Sequence, residues 1–493
     1  LNVSKIRHKN KSVDDFVKTG SSIFGYNEDF NGESQEGIGY YQTTQKKGKR
    51  CSAAKAYLVP ILHRDNLTIL TDTNVKEINI SDEKATGVQC IDKEANEFTV
   101  NAAKEVLLSS GACGSPQILL RSGVGSSEEI TKHGIEHKID LPGVGKNLQD
   151  HIDFITVHKH KSINLLGFSF GTLFLKYPYE LIKYMLSKTG MFTSTVAEAG
   201  GFIRSRNDID IPDSQLHFAP GMIVDHGREQ LWGTGISCHS CLLRPKSRGE
   251  VTLQSADPAY NPIIDPRFLS HPEDVKDMVA GYKKMMKIMN KEPISKYTSK
   301  HVMRPIDLDD DEDIEKAIRE SADTVYHPVG TCKMGSDEMA VVDNNLKVHK
   351  VKSLRVVDAS IMPTLVGGNT NAPTIMIGEK ASDIILKDWQ YMYLKLLSLL
   401  IFSLTSTSMV IIDVRTEDEW NTGHLDGAVN VEWQDILKIS STIKKDEEIY
   451  LYCRSGNRSG KANKILIDAG YLNTINAGSI KEASELLGIN IID

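Results

Sequence analysis

Residues 354–385 read LRVVDASIMPTLVGGNTNAPTIMIGEKASDII, the longest of five motifs in the first part of the chain. Four others precede it in order: GKRCSAAKAYL at 48–58, SSGACGSPQILLRSGVG at 109–125, LPGVGKNLQDH at 141–151 and YHPVGTCKMG at 326–335. A single histidine before a proline, such as His327, is by itself more often a loop residue than a catalytic base. The company of four other motifs in a fixed order reverses that expectation for His327.

Together these motifs closely resemble the glucose–methanol–choline (GMC) family of flavin oxidoreductases, and they are most similar to its bacterial alcohol and choline dehydrogenases. The resemblance covers about three-quarters of the chain. It implies an α/β fold, with a truncated FAD-binding domain and a mixed-sheet substrate domain, and it implies FAD as the cofactor. It also implies oxidation of a small-molecule alcohol at its CH–OH group, with an electron acceptor that the sequence does not identify.

Alcohol oxidation moves a hydride to a cofactor while a base takes the hydroxyl proton, and an imidazole of pKa about 6.5 suits the second task. By resemblance, His327 is this base and Asn369 is the second catalytic residue, which holds the alcohol oxygen. The resemblance assigns five further residues to contacts with the flavin: Asp358, Ala359, Asn371, Pro373 and Thr374.

The glycine-rich turn that holds a dinucleotide pyrophosphate on backbone N–H groups is not found in these residues. GIGYYQ at 37–42, GVGSSE at 123–128 and GVGKNL at 143–148 each lack the third glycine of the G-x-G-x-x-G pattern. We therefore expect the catalytic end of such an enzyme without its nucleotide-binding start, and weak binding of FAD. The alternative is that the first part is an inactive truncated remnant and that only the C-terminal part acts.

Composition describes an ordinary soluble globular protein, with 40% hydrophobic and 25% charged residues. A net charge of -7 argues against a nucleic-acid partner, and seven scattered cysteines are too few for a disulfide scaffold.

The spacing of apolar residues along the first part predicts its secondary structure. It predicts loops and short elements over residues 1–50, a helix over 115–125, helices over 171–190 and 273–291, and a strand in GISCHSCLLR at 235–244. CHSC at 238–241 has the spacing of half a zinc site, but its alternation favours a strand, and we predict no metal.

A second pattern begins at residue 409, with VIIDVRTEDEWNTGHLDGAVNV at 410–431 and YLYCRSGNRSGKANKILIDAGY at 450–471. A cysteine between a strand and a helix faces backbone N–H groups and the positive helix end, which lower its pKa. The pattern resembles a rhodanese domain of the small exported kind. The resemblance implies Cys453 as the sulfur carrier, with Asp413 and Arg415 supporting the loop, and the cationic Arg454 and Arg458 binding a thiosulfate-like donor. The alternative for this part is an inert interaction module.

Between the two patterns, MYLKLLSLLIFSLTSTS at 392–408 has the order of an export signal, and it is too short for a full membrane span. It indicates two proteins joined in one chain, by fusion or by a gene-model join, with membrane association left open. The first part is expected to be cytoplasmic or membrane-associated, and the second to have exported ancestry. The predicted regions are a partial FAD-domain region at 1–150, a substrate-binding region at 151–326, an active-site and flavin-contact region at 327–388, a signal-like junction at 389–408 and a rhodanese domain at 409–493.

Overall fold

The computed structural model describes residues 1–298, 300–303, 305–404 and 409–492, and it describes side chains for these residues except 226 and 391–404. The chain forms two compact units, Leu1–Ile384 and Ile385–Asp493. The signal-like run at 392–408 lies outside the residues whose side chains are described. Within the described part, no helix is long and apolar enough to cross a lipid bilayer.

In the described part of the first unit, the largest sheet is antiparallel and has seven strands. Its order is Asp323–Thr324, Ile152–Lys159, Gly233–Leu242, Ser214–Ala219, Ala199–Ile203 and Gly37–Tyr40, with Gly167–Phe168 added beside Gly233–Leu242. Because successive side chains of a strand point to opposite faces, this sheet has two faces of different character.

One face of this sheet carries the apolar core. The helices Lys11–Phe24, Pro272–Met289 and Asp311–Ser321 contribute buried side chains to it. The rings of Phe16 and Phe218 stack 4.5 Å apart. The rings of Phe154 and Tyr282 lie 4.8 Å apart, which locks the long helix against the sheet. Apolar burial of this kind is the main stabilising contribution to folding.

The predicted strand at 235–244 is confirmed as Gly233–Leu242. Cys238 lies in the apolar core, whereas Cys241 is three positions further and therefore points to the opposite face. The two sulfurs cannot form one half of a zinc site. The interpretation of CHSC as part of a strand is therefore confirmed.

The prediction of loops and short elements over residues 1–50 is wrong for the helix Lys11–Phe24. The Asn10 side chain caps it by accepting the backbone N–H of Ser12 at 3.0 Å. Gly20 faces the sheet, where an added Cβ would lie only 3.0 Å from the Ile38 side chain. Val13, Phe16, Val17, Ile23 and Phe24 nevertheless follow helical spacing, so the sequence did carry a signal for this helix.

The predicted helix at 115–125 begins earlier, as Gly111–Arg121, and Pro116 lies inside it rather than near its start. It follows the strand Val106–Leu108, which pairs in parallel with Leu354–Val356. The helix begins early because the carboxylate of Asp358 accepts the backbone N–H of Gly111 at 2.9 Å. This partner lies 247 residues away in sequence, so local sequence patterns could not reveal it.

The remaining elements of the first unit are mostly short. The helix predicted over 171–190 is confirmed as Thr172–Lys176 and Tyr177–Ser187, and that over 273–291 as Pro272–Met289. The antiparallel strands Thr73–Ser81, Lys84–Asp92 and Glu97–Asn101 form a separate sheet. Four further pairs of short strands are Ser4–Lys5 with Gln42–Thr43, Gln45–Lys46 with Lys49–Arg50, Val124–Gly125 with Ile139–Asp140, and Glu250–Thr252 with Ile263–Asp265. Ser127–Thr131 forms a short helix.

The second unit contains a parallel sheet in the order Val429–Asn430, Met409–Asp413, Glu448–Cys453 and Thr474–Ser479. The helices Glu417–Trp420, Asn457–Asp468 and Ile480–Leu487 accompany it, and His424–Leu425 pairs with Ile491–Ile492. The long helix Asn371–Leu404 precedes the sheet in the chain. Cys453 ends a central strand, and a short loop joins it to the helix Asn457–Asp468, as the sequence predicted.

Replacing Asp358 with alanine should destabilise the first unit strongly. Its buried carboxylate accepts hydrogen bonds from Gly111, Ser115 and Ser360, and these donors would be left buried without an acceptor. We expect a loss of about 3 kcal/mol or more in the free energy of unfolding, measured by chemical denaturation. Asp92→Ala is the matched control, because Asp92 accepts several bonds in an exposed turn, where water can replace it, and the loss should be far smaller. Equal losses in both variants would contradict this account.

Candidate active sites

Two of the sequence motifs meet at His327. The backbones of Gln149 and Val329 exchange two hydrogen bonds of 3.1 and 2.9 Å, so the segment before His151 runs beside the segment after His327. The backbone N–H of His327 donates to the Asp150 carboxylate at 2.8 Å. These bonds hold the imidazoles of His151 and His327 next to each other.

A chain of hydrogen bonds fixes which ring nitrogen of His327 carries its proton. The carbonyl oxygen of Leu243 accepts from His151 Nε2 at 3.2 Å, so Nδ1 of the neutral His151 ring carries no proton. His151 Nδ1 lies 2.9 Å from His327 Nδ1 and accepts its proton in a hydrogen bond. Nε2 of His327 is therefore left with a lone pair, which is the form that accepts a proton.

Burial keeps both imidazoles neutral. It lowers the pKa of His151 to about 3, and the neighbouring His327 acts in the same direction. Burial also lowers the pKa of His327 to about 4, although the Asp153 carboxylate acts in the opposite direction. Because both values lie far below 7, His327 is in its proton-accepting form at neutral pH.

Asn369 faces the lone pair of His327. Its Nδ2 lies 3.4 Å from His327 Nε2, and its Oδ1 accepts from Gln215 Nε2 at 3.0 Å. Gln215 is fully buried, and its Oε1 has no hydrogen-bond partner among the described residues. The structure thus brings together the two residues that the resemblance named as catalytic, and Gln215 orients the second of them.

A further polar cluster on the same sheet face was missed by sequence reasoning. His239 and Asp153 lie on neighbouring strands and are joined through Nδ1 and Oδ2 at 2.6 Å. His217 sits directly across from His239, and burial lowers its pKa to about 3. The polar residues alternate with core residues along these strands, and that period-two pattern was the available signal.

A cleft of about 1320 Å³ adjoins this cluster, and Asn369 and His217 are among the residues that line it. Pockets for single small molecules usually measure roughly 300–1,000 Å³, so this cleft has room for a cofactor ring and a substrate. Asn371 and Pro373, at the start of the helix Asn371–Leu404, also line the cleft. A helix N-terminus favours the negative charge that a flavin gains on reduction, so these residues fit a flavin.

The other three residues predicted to contact the flavin, Asp358, Ala359 and Thr374, are not among the residues that line the cleft. Asp358 is buried and holds backbone segments together. Thr374 bonds its hydroxyl to the backbone carbonyl of Thr370 at 2.8 Å, inside the first turn of the helix. The structure therefore gives Asp358 a supporting role, and contact of these three residues with the flavin stays a prediction.

In the second unit, hydrogen-bond donors surround the sulfur of Cys453. The backbone N–H of Gly456 lies 3.1 Å from Sγ and the Ser459 hydroxyl 3.4 Å. Burial raises the pKa of the Cys453 thiol, but the Ser459 hydroxyl and the backbone N–H groups of the loop outweigh it and lower the pKa below its ordinary value. This environment stabilises a thiolate.

The two arginines predicted to bind the sulfur donor lie in different surroundings. Arg454 is exposed on the loop. Arg458 donates from both terminal nitrogens to the Glu419 carboxylate at 2.6 and 2.7 Å, which lowers the pKa of Glu419 to about 2. Arg458 is therefore an anchored cation beside the sulfur rather than a mobile one. Asp413 and Arg415, which were predicted to support the loop, form a buried ion pair with 2.6 Å between an Arg415 terminal nitrogen and Asp413 Oδ2.

Comparison with known proteins agrees with this geometry. Sequence profiles described as GMC oxidoreductase match residues 1–153 and 245–378, and a rhodanese-like domain profile matches residues 401–485. An alcohol dehydrogenase (acceptor) of Pseudomonas putida is 43% identical over 392 residues, covering 78% of this chain and 70% of that protein. The mitochondrial choline dehydrogenase of Homo sapiens is 40% identical, covering 73% of this chain and 60% of that protein.

Solved structures share the fold of the first unit. A formate oxidase matches with a TM-score of 0.71 at 25% identity, covering 78% of this chain and 72% of that one. Pyridoxine 4-oxidase from Mesorbium loti matches with a TM-score of 0.67 at 23% identity, covering 77% and 71%. These likenesses confirm the predicted α/β fold.

A neutral histidine beside a cleft that fits a flavin, within this fold, defines the class of FAD-dependent oxidoreductases. The chain belongs to the GMC oxidoreductase family, is similar to alcohol and choline dehydrogenases, and carries a rhodanese-like domain in the same polypeptide. It spans 60 to 70% of the length of the two dehydrogenases named above. The family, the cofactor and the second domain that the sequence predicted are thereby confirmed, and the inactive-remnant alternative is not favoured.

The ionisation of His327 can be tested without any substrate. Because burial lowers its pKa to about 4, the ring should stay neutral as the pH falls through 6.5 and should protonate only near pH 4. Imidazole nitrogen shifts of the full chain, labelled at histidine, measure this, and His327→Ala assigns the resonance. A midpoint near 6.5 would show that the ring is not desolvated as described.

Proposed function

We propose that the first unit oxidises an alcohol to a carbonyl compound, with His327 as the acceptor of the hydroxyl proton. The observation that supports this most directly is the chain of hydrogen bonds from the Leu243 carbonyl through His151 to His327, which fixes the ring nitrogens that carry protons. It leaves the Nε2 lone pair of His327 facing the Asn369 amide, 3.4 Å from its Nδ2. A hydroxyl group in contact with both side chains could donate to His327 and accept from Asn369.

The reaction balances with these residues. The hydroxyl proton passes to His327 Nε2, and the carbinol carbon loses a hydride with its electron pair as the C=O bond forms. FAD, when bound, supplies the two-electron acceptor for that hydride. The Asn369 Nδ2–H group donates to the substrate oxygen and stabilises its growing negative charge. The Asp153 carboxylate favours the imidazolium that His327 becomes, because it raises the pKa of that ring.

Removing the base should abolish most of this activity. His327→Ala should lower kcat by roughly hundredfold or more, and Asn369→Ala should lower it less, because one hydrogen bond is lost while the base remains. Turnover of a primary alcohol with an artificial electron acceptor, at matched flavin absorbance, measures both. His63→Ala, a change at an exposed histidine, is the control and should leave the rate unchanged.

An unchanged rate in His327→Ala would remove His327 from its proposed role. Purified chain that has no flavin absorbance and no turnover, even after incubation with FAD, would support the inactive-remnant alternative instead.

We also propose that the second unit transfers sulfur through Cys453, with thiosulfate as the donor. The donors around its sulfur support this, because they stabilise the attacking thiolate. The Cys453 thiolate attacks the outer sulfur of thiosulfate, the S–S bond of thiosulfate breaks, and sulfite leaves with the electron pair. Cyanide then takes the outer sulfur of the Cys453 persulfide as thiocyanate, which restores the thiolate.

Cys453→Ser should abolish this transfer, because a hydroxyl is not ionised at neutral pH and cannot carry sulfane sulfur. Mass spectrometry of the full chain after thiosulfate treatment should show one added sulfur on Cys453, and thiocyanate release measures turnover. Arg458→Ala should mainly raise the KM for thiosulfate. Cys113→Ser is the control, because burial raises the pKa of Cys113 and no sulfur should be carried there. An unmodified Cys453 in excess thiosulfate would favour the interaction-module alternative.

A further inference from the structure

The helical segment 172–187 in the first unit has its polarity inverted. Its polar side chains face the protein, at positions spaced by four residues. Thr172 donates to the Gly167 carbonyl at 3.0 Å, and Lys176 donates to the Asn164 carbonyl at 2.6 Å. The carboxylate of Glu180, which is buried, accepts the Met191 N–H at 2.8 Å. A surface helix normally turns its apolar face inward, so this arrangement leaves the apolar face without a partner in the described chain.

The outward face is large and apolar. Seven side chains of this face are 59 to 84% exposed: Phe170, Phe174, Leu175, Tyr179, Ile182, Met185 and Leu186. Trp232 is also exposed and packs edge-on against the Phe170 ring, with ring centres 5.3 Å apart. We call these eight side chains the apolar face. A contiguous group of this kind marks an interaction site rather than ordinary surface.

The charges around the apolar face identify the kind of partner. Residues 159–192 contain five lysines and one glutamate; Lys176 and Glu180 face the protein, and the other four lysines leave this segment positively charged in a chain of net charge -7. Among these lysines, Lys161 is exposed, and Lys188 lies 4.6 Å above the Tyr184 ring, so its long stem lies along the aromatic surface. Apolar side chains flanked by lysines match the acyl chains and anionic headgroups of a membrane surface.

A second copy of this chain fits less well. A twofold interface would bring together the positively charged surroundings of both copies, and like charges at close range oppose association. The segment 172–187 is about 24 Å long at 1.5 Å per residue, which suits a helix lying in the plane of a membrane surface.

We propose that the apolar face is an interfacial membrane anchor, which seats the first unit on anionic lipid without spanning the bilayer. The same helix contributes Tyr184 to the lining of the active-site cleft, and Phe192, close behind it, also lines that cleft. Membrane contact therefore brings the cleft next to the lipid surface. Alcohols dissolved in the membrane lie within reach of the cleft in that position.

Trp232 reports on this contact directly. The full chain is mixed with vesicles of phosphatidylglycerol and phosphatidylcholine in which part of the phosphatidylcholine carries bromine on its acyl chains, a quencher of tryptophan. Subtracting the signal of Trp232→Phe isolates Trp232 from the other three tryptophans. We expect Trp232 to be quenched, and the quenching to weaken at high salt and with vesicles of phosphatidylcholine alone. This readout is independent of the apolar run at 396–404 and of enzyme activity.

A triple variant tests the side chains themselves. Phe174→Ser, Ile182→Ser and Leu186→Ser together should lower Trp232 quenching and reduce vesicle partitioning by roughly tenfold or more. The control is Val100→Ser, Ile211→Ser and Ile264→Ser, three exposed apolar residues elsewhere in the first unit, which should leave both unchanged. Because the substituted side chains are exposed, the thermal unfolding midpoint should be retained.

Two results would overturn the proposal. One is a folded wild-type chain whose Trp232 is not quenched by anionic brominated vesicles, or whose quenching the triple variant retains. The other is a dimer in light scattering that the triple variant dissociates, which would make the apolar face a contact between copies.

Discussion

The buried carboxylate of Asp358 is the interaction on which the oxidoreductase site depends. Its hydrogen bond to Gly111 begins one helix, and its bonds to Ser360 fix the following backbone. The carbonyl of Ser360 then accepts the N–H of Cys332 at 2.9 Å, five residues after His327. A buried anion is tolerated only when its acceptor capacity is filled, and here it is filled by segments far apart in sequence. The position of the base is thus tied to a residue that does not line the cleft.

The seven-stranded sheet explains how a stable core and a reactive site share the same strands. Phe218 packs into the core, and its neighbour His217 points to the site face. Burial keeps His151, His217 and His327 uncharged, so the site does not gather repelling cations. The cost is that each imidazole is deprived of water, which for His151 and His327 is offset by their shared hydrogen bond and by the bond from His151 to the Leu243 carbonyl.

The sequence was informative where function requires a particular residue type within a short motif. The structure brings together His327 and Asn369, which both lie in motifs, and Cys453 ends a strand as its local pattern predicted; the catalytic roles of these residues stay predictions. His151 lies within a quoted motif, yet its role depends on a contact with Leu243, which directly follows a strand and is distant in sequence. Gln215 was missed because one buried glutamine in a strand carries no local signal. Long-range contacts of this kind become visible only in three dimensions.

The hydrogen-bond chain that sets the tautomer of His327 begins at a main-chain atom, the carbonyl oxygen of Leu243. Replacing the Leu243 side chain leaves this carbonyl in place, so a mutational scan would pass over the group that orients the whole array. The same acceptor is also available to almost any amino acid that evolution places at this position. Tautomer control is therefore encoded in the path of the backbone, and it can persist while the surrounding side chains diverge.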